Sequence, residues 1–101
     1  MILVTGSFIA KEGRLADALA VSLEHVRRSR LETGCIAHGV HQDAENQSRL
    51  VFVEQWVDQA ALAAHFAVPA SHAFVQAVSA LAVEAPEISV FEATRIDRSG
   101  R

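Results

Sequence analysis

Between Arg49 and Val57 the chain carries apolar side chains on both faces of one extended segment. Leu50, Phe52 and Trp56 alternate with Val51, Val53 and Val57, and alternation sends the two sets to opposite sides of a strand. A sheet covered by helices on one side and water on the other carries polar residues on the wet face. This segment does not. The segment Glu87 to Arg95 behaves similarly, with Ile88, Val90 and Glu92 opposing Ser89, Phe91 and Ala93. Helices can cover one face of such a sheet, so the other needs a partner, and a second copy of the chain is the simplest one. The expectation is a homodimer.

The remaining elements follow from periodicity and punctuation. Met1 to Ala10 is rich in β-branched residues and stops at Lys11-Glu12-Gly13, which reads as a strand and turn. From Arg14 to Leu31 the residues Leu15, Leu19, Leu23 and Val26 recur at helical spacing, and Gly34 supplies a C-terminal stop. Arg27-Arg28-Ser29-Arg30 reads as the solvated last turn of that helix, well placed against its dipole. Cys35 to Gln42 alternates Ile36, His38 and Val40 against Cys35, Ala37, Gly39 and His41, as a strand weakened by Gly39. A polar loop, Asp43 to Gln47, leads to the Arg49–Val57 strand. Asp58 caps a helix to about Phe66, Pro69 interrupts it, and Ser71 opens another helix to about Val83. Pro86 introduces the last strand. The order β-α-β-β-α-β suits an α+β, ferredoxin-like fold: a four-stranded antiparallel sheet with its helices on one face. Residues 1–97 read as a single domain and 98–101 as a polar tail.

Composition removes several classes of function. At 101 residues with net charge −3 and no long basic run, the chain has no electrostatic footprint for nucleic acid. No segment has the roughly 18 apolar residues of a membrane span, and the first residues lack a signal-peptide pattern. A single cysteine, Cys35, cannot form an internal disulfide; it reads as a small packing residue. These features suit a cytoplasmic protein that does not bind membranes. No two of the five histidines have the His-x-x-x-His spacing, so no metal site is expected; His25 and His41 read as exposed.

The stretch from Glu54 to Phe74 concentrates the chemistry. It holds the only tryptophan, Trp56, at a strand-to-helix junction, followed by His65 and His72. Trp56 can seal the core or form one wall of a pocket for a flat ligand, and the two readings are compatible. Glu54 shares a face with Leu50, Phe52 and Trp56. A carboxylate there must be paired, and Arg49, Arg95 or a partner chain are the partners expected.

Three segments together resemble a known family: Glu32-Thr33-Gly34-Cys35; Asn46 through Trp56; and Ala61-Leu62-Ala63-Ala64-His65-Phe66-Ala67-Val68-Pro69 with Ala73-Phe74. The chain is similar along nearly all its length to antibiotic biosynthesis monooxygenase domains. The resemblance implies a dimeric α/β barrel, formed sheet to sheet. It also implies cofactor-independent oxygenation of an electron-rich aromatic, a quinol or anthrone, in those members that are enzymes. His65 matches the position that the resemblance marks for proton handling, and with Trp56 it forms the candidate catalytic pair. Phe52, His38, Phe66, Phe74 and His72 complete the candidate lining. Ala70 departs from the family pattern, which often has a histidine directly after the proline. Two alternatives stand beside this reading: a non-enzymatic dimer that binds a small ligand or serves a pathway as an accessory, and a haem-binding protein. Thr5 and Ser7 on the first strand, where haem-degrading members would have an asparagine, weigh against the latter.

Overall fold

The longest strand, Asn46–Trp56 (β3), is central in the sheet and is paired on both sides. A computed structural model describes residues 1–99, so the polar tail lies partly outside the described residues. The other elements are β1 (Ile2–Ile9), α1 (Leu15–Ser29), β2 (Cys35–Asp43), α2 (Gln59–Ala67), α3 (Pro69–Leu81) and β4 (Glu87–Glu92). The strands lie in the order β2-β3-β1-β4 with all neighbours antiparallel. This is the ferredoxin-like arrangement expected from the sequence.

Several boundaries differ for identifiable reasons. The Asp43–Gln47 loop shrinks to a two-residue connection, because Asn46 already pairs with Asp43. Pro69 opens α3 instead of preceding it, since a proline at the first helical position sacrifices no intrahelical bond. The break between α2 and α3 is then Val68 alone, in extended conformation. Asp58 caps α2 as expected, its Oδ1 accepting from the Ala61 N–H at 2.8 Å. In β2 an irregularity between Cys35 and Ala37 breaks the simple alternation. Ile36 is thereby left exposed while His38 is buried, so the two do not share a face.

The helix-side face of β3 presents Leu50, Phe52, Glu54 and Trp56, all buried. Two apolar clusters form on it. One gathers Phe8, Leu50, Phe52, Val78 and Leu81; the other gathers Ile2, Val4, Trp56 and Leu62. On β3 the division falls at Glu54. The inward face of α1 keeps Leu15, Leu19 and Val26 of the expected stripe but is centred on Ala18, Ser22, His25 and Ser29, and only Leu23 of the stripe is exposed. Small residues there let α1 approach closely. No helix packs substantially on β4, whose six residues are all exposed.

Gly34 fixes how the α1–β2 turn meets α2. Its φ is +85°, and an added Cβ would lie 2.6 Å from the Ala61 Cβ and 3.0 Å from Val57 Cγ2. Its carbonyl also accepts the Val57 N–H at 2.9 Å. Gly34→Ala combines left-handed strain with overpacking and should lower stability by about 2 kcal/mol or more. A urea titration of both forms measures this as a fall in the unfolding midpoint at unchanged slope.

Candidate functional site

Four elements converge behind the division in the core: α1 brings His25, β2 brings His38, β3 brings Glu54 and Trp56, and α2 brings His65. All five side chains are buried. Glu54 is the hub. Its Oε1 accepts the Trp56 indole N–H at 2.9 Å, and lies 3.3 Å from His38 Nε2 and 4.0 Å from His65 Nε2. The other oxygen, Oε2, takes part in none of these contacts. The His38 approach lacks hydrogen-bond alignment, so both His38 ring nitrogens are buried without a hydrogen-bond partner. Burial pushes the Glu54 carboxyl up, but the His38 imidazole, the Trp56 N–H and nearby His65 outweigh it, and the net shift is downward. Glu54 is a carboxylate in the folded protein.

The expected Glu54–arginine pair does not form. Arg49 instead reaches Asp43 at 3.2 Å. Nor is the basic end of α1 merely solvated. Arg28 Nη2 donates to His25 Nδ1 at 2.7 Å, Arg28 Nη1 donates to Glu32 Oε2 at 3.1 Å, and Arg30 Nε donates to the His38 carbonyl at 2.8 Å. His65 Nδ1 in turn lies 2.8 Å from Glu32 Oε1. His25 is buried, not exposed as its sequence context suggested, and its ring stacks on Phe74 at 3.8 Å with 3° between planes. Burial, the neighbouring His38 and His65 and the Arg28 guanidinium together lower the His25 pKa to about 3, so it is neutral across the physiological range.

The rings of His25, His38 and His65 form a near-equilateral triangle, with centroids 5.3 to 5.5 Å apart. Among the described residues they are a group whose nitrogens could surround a cation, within 4.8 Å of one another. Sequence spacing could not reveal a cluster drawn from three elements. Arg28 bears on its use: a guanidinium only donates, so His25 Nδ1 keeps its lone pair for Arg28 and the ring proton sits on Nε2. As arranged, His25 has no lone pair left for a metal.

A cavity of about 230 Å³ opens beside this cluster, between α3 and the uncovered β4. Gly6, Phe8, Phe52, Phe74, Val78 and Ile88 give it a largely apolar lining, and Ser7, His25, Glu54 and Glu87 reach it as polar groups. Of the residues expected at the site, Phe52 and Phe74 line the cavity. Trp56, His65 and His38 stand behind Glu54 and are not part of the lining. Phe66 and His72 are exposed and stand apart from it. His25 and Glu54 are the cavity groups that sequence reasoning had set aside. Cys35 packs beside Trp56, its thiol pKa raised by burial and by the Glu32 and Glu54 carboxylates.

The buried His25 gives the site a signature in acid. Its folded pKa is depressed, so between pH 6.5 and about 3 the unfolded chain binds the proton and the folded chain does not. Stability is therefore full above pH 6.5 and falls as pH drops through that window. His25→Leu should flatten the acid limb of a stability-against-pH curve measured by urea unfolding, steepest between pH 6 and 4.

Comparison with known proteins agrees with this architecture. A model of the family described as antibiotic biosynthesis monooxygenase matches residues 1–77. The Synechocystis protein sll1783 is 31% identical over 91 residues, which is 90% of this chain; the chain spans 62% of that relative's length. A crystal structure of an antibiotic biosynthesis monooxygenase superposes with a TM-score of 0.86 at 25% identity, covering 94% of this chain and 100% of the other. Protein SO0527 from Shewanella oneidensis gives 0.82 at 31% identity, covering 89% and 87%.

Proposed function

Since the chain belongs to the antibiotic biosynthesis monooxygenase family, we propose that it oxygenates a small electron-rich aromatic, a quinol or anthrone, bound in the cavity between α3 and β4. The observation that carries this reading is Glu54: an ionised carboxylate at an apolar cavity, with one oxygen tied by Trp56 and the other left for a ligand hydroxyl. The cavity is smaller than a drug-sized site and suits a small fused-ring ligand. Phe52 and Phe74 line it, and Ile88 closes it from β4.

The chemistry requires little of the protein. An apolar cavity desolvates and orients the ligand, and Glu54 takes the proton of its enolic or phenolic hydroxyl. The resulting anion is electron-rich enough to give one electron to dioxygen. The radical pair then combines as a C–O bond, and the hydroperoxide loses water to leave a carbonyl. For an anthrone methylene, one oxygen atom becomes the new carbonyl and the other leaves as water with the two methylene hydrogens. The substrate supplies every electron, so no bound cofactor enters the scheme. Trp56 and His65 act through Glu54, the indole holding Oε1 in place and the imidazole standing ready for a proton.

Oxygen uptake with reduced naphthoquinols and anthrones tests this directly. The wild type should consume one dioxygen per substrate, and Glu54→Gln should lower kcat about 10²-fold with the fold intact. Uptake no faster than in buffer, with wild type as with Glu54→Gln, would sink the assignment.

The same reading includes a homodimer. Leu3, Val51, Val53 and Phe91 lie on the sheet face away from the helices, and Val53 and Phe91 are well exposed. A second sheet covering them would bury this face, and lies naturally over the exposed β4 beside the cavity. Light scattering after size exclusion should give the mass of two chains. Val53→Asp should shift it toward one, because a charge in the middle of an apolar interface is left unpaired.

A further inference from the structure

The Arg28–Glu32 ion pair spans the end of α1 and the turn after it, and each partner uses a second polar atom on a different buried imidazole. Arg28 Nη1 bonds Glu32 Oε2 at 3.1 Å, leaving Nη2 for His25 Nδ1 at 2.7 Å and Glu32 Oε1 for His65 Nδ1 at 2.8 Å. A guanidinium can only donate and an ionised carboxylate can only accept. The two imidazoles therefore receive opposite instructions through the same ring atom. His25 Nδ1 must accept, which puts its proton on Nε2. His65 Nδ1 must donate, which in the neutral ring leaves Nε2 with a lone pair.

We infer that Arg28 and Glu32 are positioning residues that lock His25 and His65 in opposite tautomers, so that the site offers one ring N–H and one ring lone pair. The inference deepens the proposed oxygenation and rests on that reading for its purpose. His65 Nε2 stands 4.0 Å from Glu54 Oε1, a separation that one bridging water spans. A proton that leaves the ligand hydroxyl for Glu54 can move on through such a water to the His65 lone pair. The O–H bond breaks, an N–H bond forms at His65, and the negative charge stays on the ligand oxygen. His25, on the cavity wall, has a ring N–H to donate to that oxygen. With both rings in the same tautomer the site would lack either the acceptor or the donor.

Long-range 1H–15N spectra of the histidine-labelled full chain read tautomers directly and need no substrate. The wild type should show His25 as the Nε2–H form and His65 as the Nδ1–H form. Glu32→Ala should cost His65 more than half of its Nδ1–H population, whereas Glu32→Gln, which keeps an acceptor oxygen, should preserve it. Wild-type spectra with both rings in one tautomer would overturn the inference, as would a His65 signal unmoved in folded Glu32→Ala. Should that variant not fold, the wild-type assignment alone decides. The outcome is separable from catalysis: opposite tautomers in a chain that oxidises no quinol would leave this inference standing and remove the proposed function.

Discussion

The fold depends on how one buried carboxylate is satisfied. Glu54 sits in mid-strand on the face that should be the driest in the molecule, and an unpaired charge there would cost more than a small domain can spare. Its partners are therefore recruited from the surrounding elements: an indole from its own strand, one imidazole from β2 and another from α2. Those partners have polar atoms of their own to satisfy. The network continues from His65 to Glu32 and Arg28, and through them to His25. Polar groups in low dielectric destabilise the structure where such a network is left incomplete, and completion here stops at the two His38 ring nitrogens. The placing of α1, β2 and α2 relative to β3 is part of that completion.

Much of this architecture is legible in the sequence. The alternation in β3, the Asp58 cap and the strand-helix order suffice for the fold, because each is a local signal that tertiary packing reinforces. The face of α1 misleads because hydrophobicity and proximity conflict there. Leu15 and Leu19 do pack on the core, but Leu23 is exposed and the deepest positions are Ala18, Ser22, His25 and Ser29. A signal was present: small residues and one histidine recur at spacings of four, three and four, as expected where a helix comes close to its neighbour. Read that way, His25 faces the core.

Other parts of the site could not be read from one dimension. The irregularity in β2 re-aims His38 away from the face of Ile36, and no residue type marks it. The pairing of His65 with Glu32, 33 positions apart in sequence, is a consequence of α2 folding back against the turn that holds Gly34. The cavity itself exists because β4 lacks a helix above it, which is a matter of where α3 runs. The sequence points to His65 and Trp56 near Glu54; it does not show that Glu54 stands between them and the cavity.

The split core has a bearing on how such a chain can change over generations. A leucine in place of Glu54 alone would strand the Trp56 indole N–H and the facing imidazoles, and removing one member of a buried polar set is destabilising. Only replacing the whole set by apolar side chains would relieve the demand for buried polar partners, so selection for foldedness acts on the set as a unit. Relatives that have lost the carboxylate should have lost its buried partners with it.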